Sequence, residues 1–590
     1  MSEMRVVLHR EVSEGEKFRR EWNALVGAME RPEVFYTWEW AQAVSRAYSD
    51  SLRPLVFEGY RDDRLAGIAA FAADAGGEVC FLTATTADYC DFVSAPSDRK
   101  EWIELVMREL RGMGTAELKL ANLPTDSASA QVLRASARAS GYSFFARPAY
   151  FCSQIALQSE DDRAQIARSA RRNLKRARKA LAGMGEVAVD HTGTGEKFAA
   201  EFPGLATASV ARFLSVGRTS SLVGRERRAF LAELANLLSA QGTLALSTLK
   251  IGDRTIAWHY GFQYAGVWFW YLPVFDTELQ HLSPGPGSGL FYEILLRAAE
   301  DPGIHAVDLG LGDEGYKDRY AKSGRQTLYV TVSRSKVRLA REVCRYKAAR
   351  LVAKSPAVES RVRGSLARIS SVRNRIARQG VLRSVRHYFS RLTDAVFHDA
   401  EVVFFDWAAQ GFLSADGDLR LQSLSINLLA VAAMAYENDA DTREYLFRCA
   451  SRLQSSGAEG YALVNGGGVP LHFCWVAPFE AFRMGELACE LKEPSAHSAL
   501  LFDCWTPESE RGRSYYGRCT SMVAERVLER GQRPWIFSAA TNLSSVRGLE
   551  GAGFVRRFSL ARKKRWPLDR ISTLETKDVG GPVMDLNPAA

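Results

Sequence analysis

The stretch Asp308-Leu309-Gly310-Leu311-Gly312-Asp313-Glu314-Gly315-Tyr316-Lys317-Asp318-Arg319 constrains this chain most. It sets three glycines, alternating charges and an aromatic directly behind a strand-like run, Ile304 to Val307. A strand that stops so abruptly commonly stops at a site. Glycine admits backbone angles closed to other residues and lets a ligand approach the main chain, while Asp313, Glu314, Tyr316 and Lys317 supply acid, base and donor groups. The plainer reading is a solvated turn capping the helix that follows.

At 590 residues the chain is too long for one core, and about 150 residues per domain gives three or four packed units. Met1 to Arg5 carry an acid and no apolar core, so neither a signal nor a transit peptide is expected, and the expected location is the cytoplasm. Two uncharged runs, Thr255 to Phe275 and Tyr461 to Phe479, are interrupted by glycine, proline and polar residues, so neither is a membrane span. The nine cysteines are scattered with no Cys-x-x-Cys pair, and histidine is scarce, which predicts reduced core thiols and no metal. The net charge of +9 is local: Arg334 to Arg391 holds seventeen Lys/Arg against two acids, a balance of +15 that leaves the rest of the chain at −6.

Residues 1–150 read as an α/β unit with strands at Leu55 to Phe57, Leu65 to Phe71, Val79 to Thr83 and Leu118 to Leu120. Residues 151–335 hold a strand from Ser153, a basic helix from Arg168 to Lys179, and a meander over Thr243 to Ile251, Arg254 to Gln263 and Val267 to Pro273. A loop, Ser283-Pro284-Gly285-Pro286-Gly287-Ser288-Gly289, then feeds a helix from Leu290 to Ala299. Residues 336–395 read as a basic helical linker, and 569–590 as a flexible tail. Residues 396–568 repeat the order of the preceding unit: helices, strands Gly460 to Val464, Pro470 to Ala477 and Ala499 to Cys504, a loop Arg511 to Gly517, a helix, and a strand from Pro534.

A strand, a loop of arginine and small residues, then a helix makes a pyrophosphate cradle, because free backbone N–H groups and the helix dipole face the anion. Arg511-Gly512-Arg513 to Gly517, followed by Asn542-x-x-Ser545 and Gly551-x-Gly553-Phe554, resembles the GNAT superfamily of acyl-CoA-dependent N-acyltransferases. The resemblance implies that Arg511, Gly512, Arg513 and Gly517 hold CoA pyrophosphate and that Asn542 lies beside the pantetheine arm. Ser514 and Tyr516 stand where many members carry glycine.

Six further motifs span most of residues 30 to 335: Trp38-Glu39-Trp40, Asp88-Tyr89, Arg171-Arg172-Asn173-Leu174, Ile256 to Gly261, Ser283-Pro284-Gly285, and Gly312 to Lys317. They resemble the cellulose-biosynthesis-type (CelD-like) acetyltransferases, whose double-GNAT architecture is similar to that of the Fem peptidyltransferases. The resemblance implies tandem GNAT folds, mixed α/β sheets flanked by helices; residues 1–150 show no phosphate loop and read as a degenerate lobe. It also implies an acetyl-CoA or other acyl-CoA co-substrate, with Ser283, Gly285 and Gly287 as a second cradle. Pro286 to Gly289 read as an insertion lengthening that loop.

In such a fold backbone N–H groups polarise the thioester and a base takes the amine's proton. Candidates in the central unit are His259, Asp276, Asp313 and Glu314 as base and Tyr316 or Tyr271 as acid, with Lys317 pairing with Glu314 or binding an anionic substrate. Those in the last unit are Asp503, His472, Tyr515 and Tyr516. Cys504 and Cys519 are acylation candidates for which a bystander role is the plainer reading. Asp88, Tyr89, Arg172 and Tyr271 are expected acceptor contacts. The expected activity is acetyl transfer to an amine or hydroxyl of a sugar, polysaccharide or envelope precursor. The alternatives are Fem-like transfer from charged tRNA and an inactive module of a polysaccharide-synthesis complex. The basic helix is a solvated face, a phosphate patch or a tRNA contact, and the linker is solvated or touches an anionic membrane.

Overall fold

The computed structural model describes residues 3–312, 315–353, 397–407, 418–455, 457–487, 489–491, 494–495, 497–565, 568–575 and 587–588. The chain divides into two compact units, Met1–Ser209 with Gly224–Leu351, and Val210–Val223 with Val352–Ala590.

The first unit is built on one sheet of thirteen strands. They are β1 (Arg5–His9), β2 (Arg53–Arg61), β3 (Arg64–Ala73), β4 (Val79–Phe81), β5 (Val93–Ser94), β6 (Glu117–Pro124), β7 (Ser143–Ala156), β8 (Val187–Asp190), β9 (Leu244–Ile251), β10 (Arg254–Tyr264), β11 (Val267–Phe275), β12 (Ala306–Leu311) and β13 (Ser323–Ser333). Their spatial order is β1-β2-β3-β4-β6-β13-β7-β12-β11-β10-β9-β8, with β5 beside β3. Two parallel pairings, β4 with β6 and β11 with β12, interrupt an otherwise antiparallel sheet. Each is bridged by a crossover helix, Arg99–Gly112 or Pro286–Glu300, as parallel neighbours require. The same strand-helix-strand motif therefore occurs in each half. The halves exchange strands at their seam: β13 enters between β6 and β7, and β7 also pairs with β12.

Local sequence accounts for these elements. In the helix Glu160–Leu181 the buried residues Ala167, Ala170, Leu174, Ala177 and Leu181 recur at three- and four-residue steps. Ser159 caps its start by accepting from the Asp162 N–H at 3.1 Å, and three acids in the first turn and Arg178 and Lys179 in the last suit its dipole. Gly59 and Gly67 face each other on β2 and β3 because Trp102 lies across both: a methyl group on either would stand 2.6 or 2.4 Å from its ring.

Strands β9 to β11 are apolar on both faces because both are covered. On β11, Trp268 and Trp270 join the core under the helix Pro286–Glu300. Phe269 and Tyr271 alternate to the opposite face, packing their rings on Phe35, Trp40 and Phe262.

The second unit has an eight-stranded sheet of β14 (Phe397–Trp407), β15 (Arg420–Ser423), β16 (Glu459–Val464), β17 (Pro470–Pro478), β20 (Ser498–Trp505), β21 (Arg533–Ala539), β22 (Phe554–Arg565) and β23 (Leu568–Glu575), and a small separate sheet that includes β18 (Phe482–Met484) and β19 (Cys489–Leu491). The large sheet is ordered β15-β16-β17-β20-β21-β14-β22-β23. Here β20 runs parallel to β21, bridged by the helix Tyr515–Glu529, and β14 separates β21 from β22. That repeats β11, β12, β7 and β13, where the strand preceding the motif likewise fills the place beside its second parallel strand.

Three expectations change. Pro286 to Gly289 do not lengthen a loop: they are the first turn of the helix Pro286–Glu300, with Gly285 as cap and Pro286 at the start. Proline suits that position because its fixed φ is helical and the N–H it lacks has no partner there anyway. The strand expected from Ser153 begins ten residues earlier, at Ser143. The helix expected after the loop Arg511 to Gly517 already begins at Tyr515, inside that loop. Of the basic segment, Lys336–Ala353 is helical and 354–396 lie outside the described residues. All nine cysteines are unpaired, six of them buried. Among the described residues no helix is long and apolar enough to cross a membrane.

Candidate active site

The parallel pair β11 and β12 is hydrogen-bonded only at its start, through Val267 with Ala306, Trp268 with Val307 and Phe269 with Asp308. Beyond that point the strands part, and β12 also slips against β7 between Asp308 and Leu311. The backbone on the β12 side of β11 beyond Phe269 is left without a ladder partner, which is costly unless something else fills the gap. The helix Pro286–Glu300 starts close by, since a methyl group at Gly287 would meet the Phe275 ring at 3.0 Å. Its first N–H groups are free for an anion; Gly289 N already donates to Gly285 O. Ser283 is exposed just ahead of the cap.

Asp88 enters this split from the loop after β4. A methyl group at Gly310 would lie 2.8 Å from its Oδ2 and 3.7 Å from the Trp270 carbonyl, so the bare backbone of Gly310, at φ 68°, is what admits the carboxylate. Burial, and then the neighbouring Asp308 carboxylate, raise Asp88 to about 7, against the pull of Lys317, Arg227 and the Leu311 N–H. Asp308 is the hub beneath it. Tyr89 Oη and Gln154 Nε2 each donate to its Oδ2 at 2.7 Å, and Gly310 N donates to its Oδ1 at 2.8 Å.

Lys317 is buried, and its ammonium donates to the Gly310, Leu311 and Gly312 carbonyls at 3.4, 3.0 and 3.2 Å, holding the turn shut from below. Tyr316 is partly exposed, and its hydroxyl accepts from Trp270 Nε1 at 3.2 Å. His259 is fully buried and stacks on Trp270. Its Nε2 lies 3.2 Å from the Phe269 carbonyl, and burial drives it down to about 3, so the ring is neutral. Asp276 caps a short turn by accepting from Glu278 N and pairs with Arg254. Asp313 and Glu314 lie outside the described residues.

Tyr271 donates to the Thr86 carbonyl at 2.5 Å and accepts from Arg227 at 2.7 Å, and burial pushes it up to about 12. Arg172 stays on the exposed face of the basic helix with Arg168, Lys175, Arg176 and Lys179, while Arg171 and Arg178 turn to Glu300 and Glu293. Asp88, Tyr89, Tyr271, Tyr316, Lys317 and His259 therefore gather around the split, and Arg172 does not. Sequence reasoning passed over Gln154, Arg227 and Trp270. Only the arrest of a strand at Asp308 hinted at that hub.

The second unit holds a similar split. β20 and β21 pair from Ser498 with Arg533 to Leu501 with Ile536 and then separate. A cleft of about 810 Å³ opens there, and Arg511, Gly512, Arg513, Tyr516, Gly517 and Asn542 are among its walls. Arg511 lies over the Trp505 ring at 5.6 Å and Arg513 pairs with Glu510 at 3.2 Å, both exposed at the start of the helix Tyr515–Glu529. Gly517 is in the first turn of that helix, where a methyl group would meet the Gly548 carbonyl at 3.2 Å. Asn542 caps the next helix, accepting from Ser545 N at 3.2 Å.

The Tyr516 hydroxyl accepts from Ser545 Oγ at 2.9 Å, and burial raises its pKa well above the usual phenol value. His472 Nδ1 lies 2.7 Å from Thr506 Oγ1, and burial takes this ring down to about 3. Asp503 faces away to Arg452, at 2.6 Å. Cys504 lines the cleft, 3.6 Å from Cys474, whereas Cys519 is buried in the core.

A sheet divided between two parallel strands, with a helix N-terminus at the mouth of the division, defines the acyl-CoA N-acyltransferase fold, present here in tandem. Residues 168–318 match the family described as Acetyltransferase (GNAT) domain, so that this stretch of the first unit is similar to an acyltransferase domain. FemX is similar at 11% identity and a TM-score of 0.37, over 53% of this chain and 95% of its own. A tandem GNAT protein from the clavulanic acid biosynthesis pathway is similar at 12% and 0.33, over 56% and 99%. L-PGS from Bacillus licheniformis is similar at 13% and 0.33, over 50% and 91%. No curated protein matches the sequence.

Proposed function

We propose that this chain moves an acetyl or other acyl group from CoA to an amine or hydroxyl of a sugar, polysaccharide or cell-envelope precursor. The observation that carries the acyl-transfer reading is the split between β11 and β12 with the Asp88 carboxylate inside it. The kind of acceptor rests on the CelD-like motifs.

The residues fit a CoA thioester. The uncovered backbone of β11 beyond Phe269 offers N–H groups to the pantetheine amides and the thioester oxygen, and the helix start at Gly285 to Ser288 offers N–H groups to a phosphate. Asp88, raised to about 7, accepts the proton of the attacking amine at neutral pH. The Tyr316 hydroxyl, oriented by Trp270 Nε1, returns a proton to the departing sulfur. Lys317 holds the turn over which the reacting groups meet. In the second unit Arg511 and Arg513 make a more strongly charged cradle, with Tyr516 in the acid's place. Isothermal titration of the full chain with acetyl-CoA tests the proposal: saturable heat, competed by CoA, is expected, and no heat at millimolar ligand defeats it.

The cationic stripe Arg168, Arg172, Lys175, Arg176 and Lys179 favours one other reading, aminoacyl transfer from charged tRNA. Filter binding of tRNA that persists near physiological salt supports that reading, and loss of binding there removes it.

A further inference from the structure

We infer that the acceptor carries an oxyanion, a carboxylate or a phosphoryl group, and that Arg227 binds it; this rests on the acyl-transfer reading of the first unit and adds the acceptor's charge to it. Arg227 lies in the first turn of the helix Arg225–Ser239. Its half-buried guanidinium lies over two aromatic rings, 5.2 Å from the centre of Phe230 and 5.6 Å from that of Tyr271, and Nη2 donates to Tyr271 Oη at 2.7 Å. Among the described residues no carboxylate lies within ion-pair distance of it.

Other guanidinium groups set into this chain are neutralised by contact: Arg325 by Glu33 and Asp126, Arg61 by Asp98 and Glu101, and Arg452 by Asp503. A half-buried cation with no carboxylate in contact is poorly compensated, and a ligand oxyanion supplies what is missing in the bidentate geometry that guanidinium favours.

Position decides which ligand. From Arg227 the hydrogen bonds run to Tyr271 and on to the Thr86 carbonyl, two residues before Asp88. The oxyanion site is thus tied to the proton acceptor in the split. It is also on the wrong face for the phosphates of CoA. Tyr271 packs with Trp40 and Phe262, whereas its neighbour Trp270 packs under the helix Pro286–Glu300, whose start is the phosphate cradle. An acyl donor on one face and an anionic acceptor on the other meet at Asp88 and Gly310. The acceptor class is therefore an amine or alcohol bearing an acid group a few bonds from the reacting atom, such as a sugar phosphate, a sugar acid or an amino acid.

The test uses the full chain and two probes, malonate for a carboxylate source and inorganic phosphate for a phosphoryl source, titrated calorimetrically alongside CoA. The wild type is expected to bind one of the two. Arg227→Gln weakens that binding roughly 10- to 100-fold, as loss of a charge-assisted contact does, and Arg227→Lys restores part of it. Unfolding temperatures of both variants confirm that they fold. Equal anion binding by the wild type and Arg227→Gln overturns the inference, as does the absence of anion binding in a chain that binds CoA. Absence of CoA binding instead defeats the acyl-transfer reading, while the Arg227 comparison is still read directly.

Discussion

The Tyr89 hydroxyl donates a 2.7 Å hydrogen bond to Oδ2 of Asp308, across 219 residues of chain, and so fastens a loop of the first half of the sheet to the strand that ends at the split. Tyr89→Phe leaves that buried carboxylate with two of its three described donors. A loss of about 1.5–3 kcal/mol is expected, since hydrogen bonds to charged groups are worth that much. Urea unfolding of the full chain measures it, and an unchanged midpoint would show that Asp308 does not depend on Tyr89.

Acyl transfer by the first unit is expected to rise with pH through about 7, where Asp88 gives up its proton, and Asp88→Asn is expected to flatten the profile and cut the rate by about 10²-fold or more. Stability runs the other way. Between the ordinary carboxyl value of 3.8 and about 7 the folded protein keeps a proton on Asp88 that the unfolded chain has lost, so stability falls as pH rises through that window. Thermal melts from pH 4 to 8 should show a shallower decline in Asp88→Asn than in the wild type. Parallel curves would rule out the shift.

Two cradles predict two CoA equivalents. Arg511→Ala with Arg513→Ala is expected to weaken the second unit's site about 100-fold, near tenfold for each lost charge-assisted contact, and to leave one equivalent bound. Gly287→Val, which drives a side chain against Phe275, should remove the other. A wild-type stoichiometry of one, abolished by only one of these changes, would assign CoA to a single unit.

Ser514 sits just before the helix Tyr515–Glu529 at φ 60°, a left-handed conformation that disfavours side chains by about 1–2 kcal/mol. Ser514→Gly should therefore stabilise the second unit by roughly 0.5–1 kcal/mol once glycine's larger unfolded-state entropy is subtracted. A lowered melting temperature would refute this.

Gly67→Ala is expected to destabilise the first unit by about 1–3 kcal/mol, because the added methyl lands 2.4 Å from the rigid, fully buried ring of Trp102. Denaturant unfolding reads the change, and a neutral outcome would mean the ring can move.

Much of the site's composition was legible locally. The arrest of a strand at Asp308 with the glycines behind it, and the Arg511 to Gly517 loop, each set glycines and charged or polar groups together within a short window. Pro286 misled because proline reads as loop, yet at the first position of a helix it costs nothing. The first half of β7, Ser143 to Phe151, was invisible because Arg147 and Pro148 interrupt its pattern and its partner, β13, lies some 180 residues away. His259 and Lys317 were visible as polar residues in a strand and a turn, but only packing shows one as a neutral ring on Trp270 and the other as a donor to three carbonyls.

By itself the sequence determined the meander from Thr243 to Pro273, the strands on either side of the Arg511 loop, the two glycine-bearing turns that start helices, and the confinement of positive charge to one segment, since each follows from propensity and composition over short windows. Tertiary structure alone decided that Asp88 reaches the split beside Gly310 and that Arg227 has no carboxylate at ion-pair distance among the described residues. Both depend on contacts between residues far apart in the chain, and a raised carboxyl pKa or an uncompensated cation is a property of the surroundings that folding assembles, not of the residue itself.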